Sequence, residues 1–124
     1  MLKVAIVGAA GRMGRTLVEA VSQNSSPMRV SVATVLPDDP ALGVDIGLLA
    51  IGAAIGVKTV AELASNESDF DVLIDFTSPE ATMGHLARCQ SSNKAMVIGT
   101  TGLSNTQQQA IQAAATNIPI MYAP

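Results

Sequence analysis

Three glycines, Gly8, Gly11 and Gly14, follow an apolar run at the start of the chain and precede a segment of helical periodicity. The aliphatic run Leu2–Val7 predicts a strand, and Arg12–Gln23 predicts a helix. A strand, a glycine turn and a helix in this order favour a dinucleotide-binding turn over a glycine repeat that serves packing alone. Gly8 would allow the tight turn, Gly11 would let a ligand approach, and Gly14 would let the helix lie close to the sheet.

The predicted helix would point its first free N–H groups and the positive end of its dipole at an anion, and a pyrophosphate fits best. Arg12 and Arg15 lie in its first turn, where a cation is unfavourable unless an anion is bound. We therefore expect Arg12 to contact a phosphate, with a 2′-phosphate as one candidate, rather than to be merely solvated. For Arg15 the two interpretations are equally supported.

Composition indicates one aliphatic domain. The 124 residues suffice for a single core, and 48% of them are apolar while 2% are aromatic, as expected of parallel strands covered on both faces. The net charge of −3 argues against nucleic acid as a partner. The apolar stretches are too short to span a membrane, and the single cysteine, Cys89, fits a reducing compartment, so we expect a soluble, cytoplasmic protein.

Strand and helix signals alternate along the rest of the chain. Further strands are predicted at residues 29–36, 71–75, 95–98 and 118–122. Ser78 is predicted to cap a helix that runs to about Gln90, and Ser104 with Gln107 forms a capping box for another. The apolar spacing predicts three sets of inward-facing residues, namely Met13, Leu17, Val18 and Val21, then Met83, Leu86 and Ala87, then Ala110, Ile111 and Ala114.

The region between the second and third strands has a looser pattern. Residues 41–56 predict a long loop with little regular structure, and Val57 with Lys58 predicts a short strand. Thr59 and Glu62 match a capping box, which predicts a short helix that runs through Ala64.

This alternation predicts an α/β fold of the Rossmann type, a doubly wound parallel sheet with helices on both faces. Such sheets bind ligands beyond the carboxyl ends of their strands, at the switch point of the strand order. Three loops, at residues 8–14, 76–78 and 99–102, would converge there although they are far apart in sequence. Their convergence indicates a binding site more strongly than any one motif does.

Several polar residues lie in or near these loops. Thr100 and Thr101 could hold an amide or a carboxylate, or could satisfy their own backbone, and their loop favours the former. Asp75 is expected to be a buried carboxylate that supports the loops. His85 is expected to be a surface or partly packed residue away from the loops, and Cys89 a core or subsurface residue. No nucleophile–base pair and no metal-ligand spacing is found, so we predict no catalytic residue and no metal site.

The end of the second strand lacks the acidic residue that commonly holds the ribose hydroxyls of a dinucleotide. Val35 and Leu36 stand there, and Asp38 and Asp39 follow only after Pro37. Either aspartate could contact a ribose, but an exposed turn is the better interpretation of both. The choice between NADH and NADPH is therefore left open.

Three stretches of the sequence resemble one known family. Residues 7–14 (Val-Gly-Ala-Ala-Gly-Arg-Met-Gly), 73–80 (Leu-Ile-Asp-Phe-Thr-Ser-Pro-Glu) and 97–102 (Val-Ile-Gly-Thr-Thr-Gly) are similar to the N-terminal domain of the 4-hydroxy-tetrahydrodipicolinate reductases, also called dihydrodipicolinate reductases. The resemblance covers the whole chain in order and spacing. It implies hydride transfer from NADH or NADPH to the cyclic product of dihydrodipicolinate synthase, in lysine and diaminopimelate biosynthesis.

The resemblance also implies roles for residues. The pyrophosphate would be wrapped by Gly8, Ala9, Ala10, Gly11, Arg12 and Met13, with Arg12 near the adenosine ribose or its phosphate. The nicotinamide would meet Gly99, Thr100 and Thr101, with Thr101 also near the substrate. Ala123 and Pro124 would begin the last segment that contacts the cofactor.

The chain departs from the family pattern at two points. The family usually has an acidic residue where Val35 or Leu36 stands. Its substrate domain, with a His-His motif, a proton-donating lysine and a Ser-Gly-Thr loop, has no counterpart here, and His85 does not match its histidines. We therefore expect residues 1–124 to be an NAD(P)-binding domain without its C-terminal substrate domain, catalytically incomplete alone.

Two other functions fit the same architecture. The chain could be the cofactor domain of another dehydrogenase of amino-acid metabolism, such as aspartate, diaminopimelate or homoserine dehydrogenase, although the loop at residues 97–102 argues against these. It could also be a non-catalytic nucleotide-sensing module, which would bind nucleotide but show no reductase activity even within a longer chain.

The family assembles as homotetramers mainly through the substrate domain, so we predict that the 124-residue chain is monomeric or weakly associated. Its apolar C-terminal edge would then be exposed. Light scattering over a range of protein concentrations tests this, and a tight tetramer would contradict it.

Overall fold

The structure is a computed structural model that describes residues 1–23, 27–63 and 69–123. Within these residues, one parallel sheet contains β1 (Leu2–Val7), β2 (Met28–Ala33), β3 (Val72–Asp75), β4 (Ala95–Ile98) and β5 (Ile120–Tyr122). The described helices are α1 (Arg12–Gln23), α2 (Ile46–Ala50), α3 (Pro79–Ser92) and α4 (Asn105–Ala114). The predicted α/β fold is confirmed.

The strand order is β2-β1-β3-β4-β5, so the chain reverses its direction of winding between β1 and β3. The register places Val7 beside Asp75, and Asp75 beside Ile98. The last residues of β1, β3 and β4 are therefore level, and the loops that follow them leave from adjacent points on one edge of the sheet. This edge, at the switch point, is where α/β sheets bind ligands.

Helices cover both faces of the sheet, because successive strand residues point to opposite faces. On one face, Ile6 packs in a buried cluster with Val18 of α1. On the other face, Val7 belongs to a cluster with Leu86 of α3 and Ile111 of α4. The part of the sheet that carries the loops is thus held between two buried aliphatic clusters, one on each face.

Helix α1 approaches β1 closely because Gly14 has no side chain. A Cβ atom built on Gly14 would lie 2.3 Å from the carbonyl oxygen of Gly8 and 2.7 Å from the Cα atom of Ala9. Both neighbours are backbone atoms, which cannot rotate away. The predicted role of Gly14 in close packing is confirmed, and its first reason is the fold itself.

The predicted loop at residues 41–56 is wrong in part, because it contains the one-turn helix α2. Asp45 caps this helix, and its Oδ1 atom accepts hydrogen bonds from Gly47 N at 2.8 Å and Ile55 N at 3.0 Å. Its Oδ2 atom accepts a third from Gly56 N at 2.7 Å. The hydrogen bond from Ile55 is the main reason that the pKa of Asp45 lies below its usual value.

The predicted capping box of Thr59 and Glu62 is also wrong. Residues 59–63 are not helical, and Ala64 lies outside the described residues. The Thr59 hydroxyl instead donates to the carbonyl of Ala41 at 2.6 Å and accepts from Gly43 N at 2.9 Å. Lys58 forms a single antiparallel bridge with Asp45 in place of the predicted strand.

Other predicted elements shift only at their ends. The second strand ends at Ala33 rather than at residue 36, β3 begins at Val72, and β5 begins at Ile120. Three residues predicted to face the core, Met13, Ala87 and Ala110, are exposed. The caps at Ser78 and Ser104, including the capping box with Gln107, are confirmed.

The helices described in the structure are all too short or too polar to cross a lipid bilayer. This agrees with the sequence, in which no long apolar segment is found.

We predict that Gly14→Ala lowers the free energy of unfolding by roughly 2 kcal/mol, because the new Cβ atom would overlap backbone. The matched control is Gly84→Ala in α3, where a Cβ atom would meet nothing within 4 Å. That change should raise the free energy of unfolding by about 0.5–1 kcal/mol, because alanine favours a helix interior over glycine. Urea denaturation measures both, and similar shifts in the two variants would contradict the packing argument.

Candidate functional site

A cleft of about 450 Å³ opens at the carboxyl edge of the sheet. Its lining comes from five regions of the chain, the glycine turn, the segment directly after β2, the segment that follows the bridge at Val60, the loop after β3 and the first two turns of α3. The lining residues are Gly8, Ala10, Gly11, Thr34, Val35, Leu36, Asp39, Ala61, Phe76, Thr77, Ser78, Ala81 and His85. This volume is within the range of small-molecule and cofactor sites.

The glycine turn forms one end of this cleft. Gly8 has a φ of +68°, which an L side chain rarely adopts. A Cβ atom on Gly11 would make only an ordinary contact, 3.5 Å from the carbonyl oxygen of Gly8. Packing within the chain therefore explains why position 14 has no side chain, but it does not explain why position 11 has none. The space beside Gly11 is part of the cleft.

Backbone N–H groups at the start of α1 remain available to an anion. Among the described residues, no acceptor for the N–H groups of Arg12 and Met13 is found. The N–H of Ala9 is used differently, because it donates to the carbonyl of Thr34 at 2.8 Å, and its side chain is buried in the core. Ala9 thus joins the glycine turn to the end of β2, while Ala10 faces the cleft.

Phe76 stands between the cleft and the loop that follows β4. Its side chain lines the cleft, and its ring occupies the place of a side chain on Gly99, where a Cβ atom would lie 1.9 Å from the ring. The ring of Phe76 therefore occupies the space that a side chain at position 99 would need. The lining of the cleft includes Phe76 but not the 99–102 loop.

Asp75 is fully buried at the end of β3 and bonds to the loops on both sides. Its Oδ1 atom accepts hydrogen bonds from the backbone N of Thr77 at 2.9 Å and from the Thr77 hydroxyl at 2.5 Å. The Thr100 hydroxyl lies 3.4 Å from the same oxygen and 2.7 Å from the Thr82 hydroxyl of α3. The predicted supporting role of Asp75 is confirmed.

His85 does not lie where the sequence predicts. It is partly buried, as expected, but it lines the cleft, and its Nδ1 atom is 2.8 Å from Oδ2 of Asp75. His85 follows Ser78 by seven residues, which is two helical turns, so both residues lie on the face of α3 that meets the cleft. This spacing was the signal in the sequence that could have placed it.

The charge of Asp75 follows from these contacts. Burial alone raises the pKa of this carboxyl, but the hydrogen bonds from His85 and Thr77 and the charge of His85 together lower it below its usual value of 3.8. Asp75 is thus an ionised acceptor at neutral pH. Burial, with a contribution from Asp75, raises the pKa of the Cys89 thiol to about 12, so this buried thiol stays protonated.

The end of β2 has no carboxylate at Val35 or Leu36, and the carboxylate that borders the cleft is the one of Asp39. Val35 is buried and Leu36 is exposed, and both line the cleft. Asp39 also lines it. Its Oδ1 atom accepts a hydrogen bond from Ala41 N at 2.8 Å, so it lies in a turn as predicted, but it is half-buried rather than exposed. Asp38 is exposed in the same turn.

The two arginines of α1 lie outside this cleft. Arg12 and Arg15 both line a depression of about 190 Å³ between α1 and α2. Arg15 also lines a second depression, of about 330 Å³, which shares Ala10 and Asp39 with the cleft. The structure thus places Arg15, rather than Arg12, on the side of the cleft that Asp39 borders.

The remaining candidates differ in exposure. Thr101 is exposed, whereas Thr100 is buried and its hydroxyl is engaged by Asp75 and Thr82. Ala123 is exposed, and its N–H extends the pairing of β5 by donating to Ile98 at 2.9 Å. Pro124 lies outside the described residues. Within the described part of the chain, no three side chains come together as metal ligands.

Comparison with known proteins decides the family. The family model described as "Dihydrodipicolinate reductase, N-terminus" matches residues 2–124. The chain belongs to the dihydrodipicolinate reductase family. The resemblance seen in the three sequence motifs is confirmed, and the family match covers the glycine turn, Asp75 and the 99–102 loop alike.

Two relatives illustrate how far the family likeness extends. The 4-hydroxy-tetrahydrodipicolinate reductase of Pseudomonas fluorescens (strain Pf0-1) is 48% identical over 123 residues, which are 99% of this chain and 46% of that protein. The protein of the same name from Acinetobacter baumannii is 45% identical over 121 residues, which are 98% of this chain and 44% of that protein. The chain therefore spans less than half the length of these family members.

Solved structures agree on the architecture. A dipicolinate-bound dihydrodipicolinate reductase from Paenisporosarcina sp. TG-14 matches all of this chain and 47% of its own, with a TM-score of 0.78 and 29% identity. GenD2 from gentamicin A biosynthesis, in complex with NAD, matches 98% of this chain and 34% of its own, with a TM-score of 0.78 and 16% identity. At that identity, GenD2 shares the fold alone with this member of the family.

We predict that stability becomes sensitive to acid through Asp75. Its pKa is lowered in the folded state, so its contribution is present above the unfolded value of 3.8 and is lost as the pH falls through the folded value. Asp75→Asn should cost on the order of 2 kcal/mol at about pH 7, and the difference from the parent chain should shrink at about pH 3.

Urea denaturation at the two pH values measures this difference. Asp38→Asn, which alters an exposed carboxylate of the turn after β2, is the control and should change stability little at either pH. A cost of Asp75→Asn that is equal at both pH values would contradict an ionised, stabilising Asp75.

Proposed function

We propose that this chain is the cofactor-binding domain of a 4-hydroxy-tetrahydrodipicolinate reductase and that NADH or NADPH binds in the cleft at the carboxyl edge of its sheet. The observation that carries the proposal is the open space beside Gly11. Its missing side chain is not required by contacts within the chain, and it lies beside free N–H groups at the start of α1. A phosphate is the group that such a turn accommodates.

The proposed binding mode follows the lining of the cleft. The pyrophosphate would lie against Gly8, Ala10 and Gly11, with the N–H groups of Arg12 and Met13 as donors. We place the adenosine between the segment after β2 and the first two turns of α3. GenD2, a structural neighbour that is solved with NAD, has the same fold, and this supports a nicotinamide dinucleotide as the ligand.

The nicotinamide half would extend toward Gly99, Thr100 and Thr101. Because the Thr100 hydroxyl is engaged by Asp75 and Thr82, this residue would contribute its backbone rather than its side chain. Phe76 packs on Gly99, so its ring would form the surface against which the nicotinamide end lies. Ala123 and Pro124 would continue the site from the end of β5.

We further propose that the chain accepts NADPH at least as well as NADH. No carboxylate stands at Val35 or Leu36, the place where dinucleotide-binding folds commonly hold the ribose hydroxyls with an acidic residue. Arg15 borders the depression beside this end of the cleft and could pair with the phosphate.

The reaction itself requires more than these residues. When bound, the cofactor supplies a hydride. This chain would bind the cofactor, orient its nicotinamide ring through the 99–102 loop and cover one face of that ring with Phe76. The substrate we propose is the cyclic dicarboxylate made by dihydrodipicolinate synthase, because related proteins carry the reductase name and one is solved with dipicolinate. Groups that bind this substrate and supply its proton would come from a C-terminal substrate domain.

Assembly and location follow from the same proposal. The complete enzyme would be a homotetramer in the cytoplasm, since a single unpaired cysteine fits a reducing compartment, and the 124-residue chain would be monomeric or weakly associated alone. The family match disfavours aspartate, diaminopimelate and homoserine dehydrogenases. A nucleotide-sensing module remains the second candidate, and reductase activity of a chain extended past Pro124 would exclude it.

We predict that Gly11→Val weakens NADH and NADPH binding by at least about tenfold while the fold is retained, because the new side chain would enter the cleft and not the core. The measurement is a titration of the 124-residue chain with each cofactor, followed by the fluorescence of the reduced nicotinamide. Unfolding by urea reports on the fold of the variant.

The matched control is Gly84→Val, which places the same side chain in open space on α3. This variant should bind both cofactors as the parent chain does. Equal affinities for Gly11→Val and the parent would remove the glycine turn from the site. A clear preference of the parent for NADH would contradict the proposed acceptance of a 2′-phosphate.

A further inference from the structure

One buried carboxylate contacts two loops of the proposed site directly and the third through Thr77. Oδ1 of Asp75 holds both the N–H and the hydroxyl of Thr77, and the Thr77 N–H also lies 3.1 Å from the Thr100 hydroxyl. The methyl group of Thr77 packs on Gly8, where it lies 2.9 Å from the position of a Cβ atom. The loops after β1, β3 and β4 are therefore joined through one oxygen atom and its donors.

The second oxygen of Asp75 is held from a different element. Among the described residues, Oδ2 accepts a hydrogen bond only from His85, two turns along α3. Because Asp75 is ionised, its oxygen can only accept, so Nδ1 of His85 carries the proton and donates. This hydrogen bond stops the carboxylate from rotating about its last bond, and the direction of Oδ1 is fixed at the same time.

We propose that His85 is a positioning residue for the cofactor site, acting through Asp75 on Thr77 and Thr100. This role rests on the proposed function. His85 would keep the loops that meet the pyrophosphate and the nicotinamide in the correct orientation. His85 need not touch the cofactor for this role. Its loss leaves Asp75 buried with one oxygen unpaired, and the carboxylate turns to recover a donor.

Direct contact with the ligand is the competing explanation, since the His85 ring also lines the cleft. Two conservative variants separate the two roles. In His85→Asn, the side-chain amide nitrogen takes the place of Nδ1 and can still donate to Asp75. In His85→Gln, the amide reaches the place of Nε2, where it could replace a contact with ligand but not the hydrogen bond to Asp75.

The experiment compares three variants of the 124-residue chain, His85→Leu, His85→Asn and His85→Gln. Two readouts are recorded, the dissociation constants for NADH and NADPH and the amide NMR shifts of Thr77 and Thr100 without ligand. We expect His85→Leu and His85→Gln to weaken binding by about tenfold and to shift both amides, because each lacks the donor to Asp75. His85→Asn should restore affinity to within about threefold of the parent and return both amides toward their original shifts.

Gln90→Leu, an exposed change on the same helix, is the control and should leave both readouts unaltered. Rescue by Gln rather than Asn would overturn the positioning role in favour of direct contact. Unchanged affinity and unchanged amide shifts in His85→Leu would also overturn it. Absence of cofactor binding by the parent chain would contradict the proposed function instead, and the two failures are therefore distinguishable.

Discussion

The ionised carboxylate of Asp75 is the interaction on which the arrangement of the carboxyl edge depends. A buried charge is costly unless donors surround it, and the donors here are Thr77, Thr100 and His85. Thr77 comes from the loop after β3, Thr100 from the loop after β4, and His85 from α3. Because one buried charge needs all of these donors, it holds two loops and one helix in a fixed arrangement.

The glycines of the first turn show how fold and site share the same short stretch. Gly14 is required by the backbone of Gly8 and Ala9, so it determines how α1 lies on the sheet. Gly11 meets no such constraint and faces the cleft. The close approach of α1 brings its N-terminus to the edge of the sheet, and the open space beside Gly11 then lies in front of its free N–H groups.

Local signals in the sequence were sufficient for most of the fold. The limits of β1, α1 and β4 and the capping box of Ser104 and Gln107 were predicted correctly, because each depends on contacts within a few residues. The structure of the segment after β2 was not predicted correctly. Asp45 caps α2, and its carboxylate also accepts hydrogen bonds from Ile55 N and Gly56 N, which follow it by ten and eleven residues.

The candidate site was predictable to a similar depth. The three converging loops follow from the order of strands and helices, and Asp75 follows from its place at the end of β3. The partner of Asp75 on α3 was missed because a single histidine within a helix carries no local signal of its own. Only the seven-residue spacing from the Ser78 cap to His85 brings the imidazole back to the same face, and that spacing becomes informative once the direction of α3 is known.

The same reasoning explains why the capping role predicted for Thr59 is wrong and why the two roles considered for the Thr100 hydroxyl did not include its contact with Asp75. A threonine hydroxyl bonds to the nearest unsatisfied group, whether this group is local or distant. For Thr59 that group is the carbonyl of Ala41, and for Thr100 it is the network of Asp75 and Thr82. Thr100 therefore supports the loop after β3 through Asp75, whereas Thr101 is exposed, and its contact with a ligand stays a prediction.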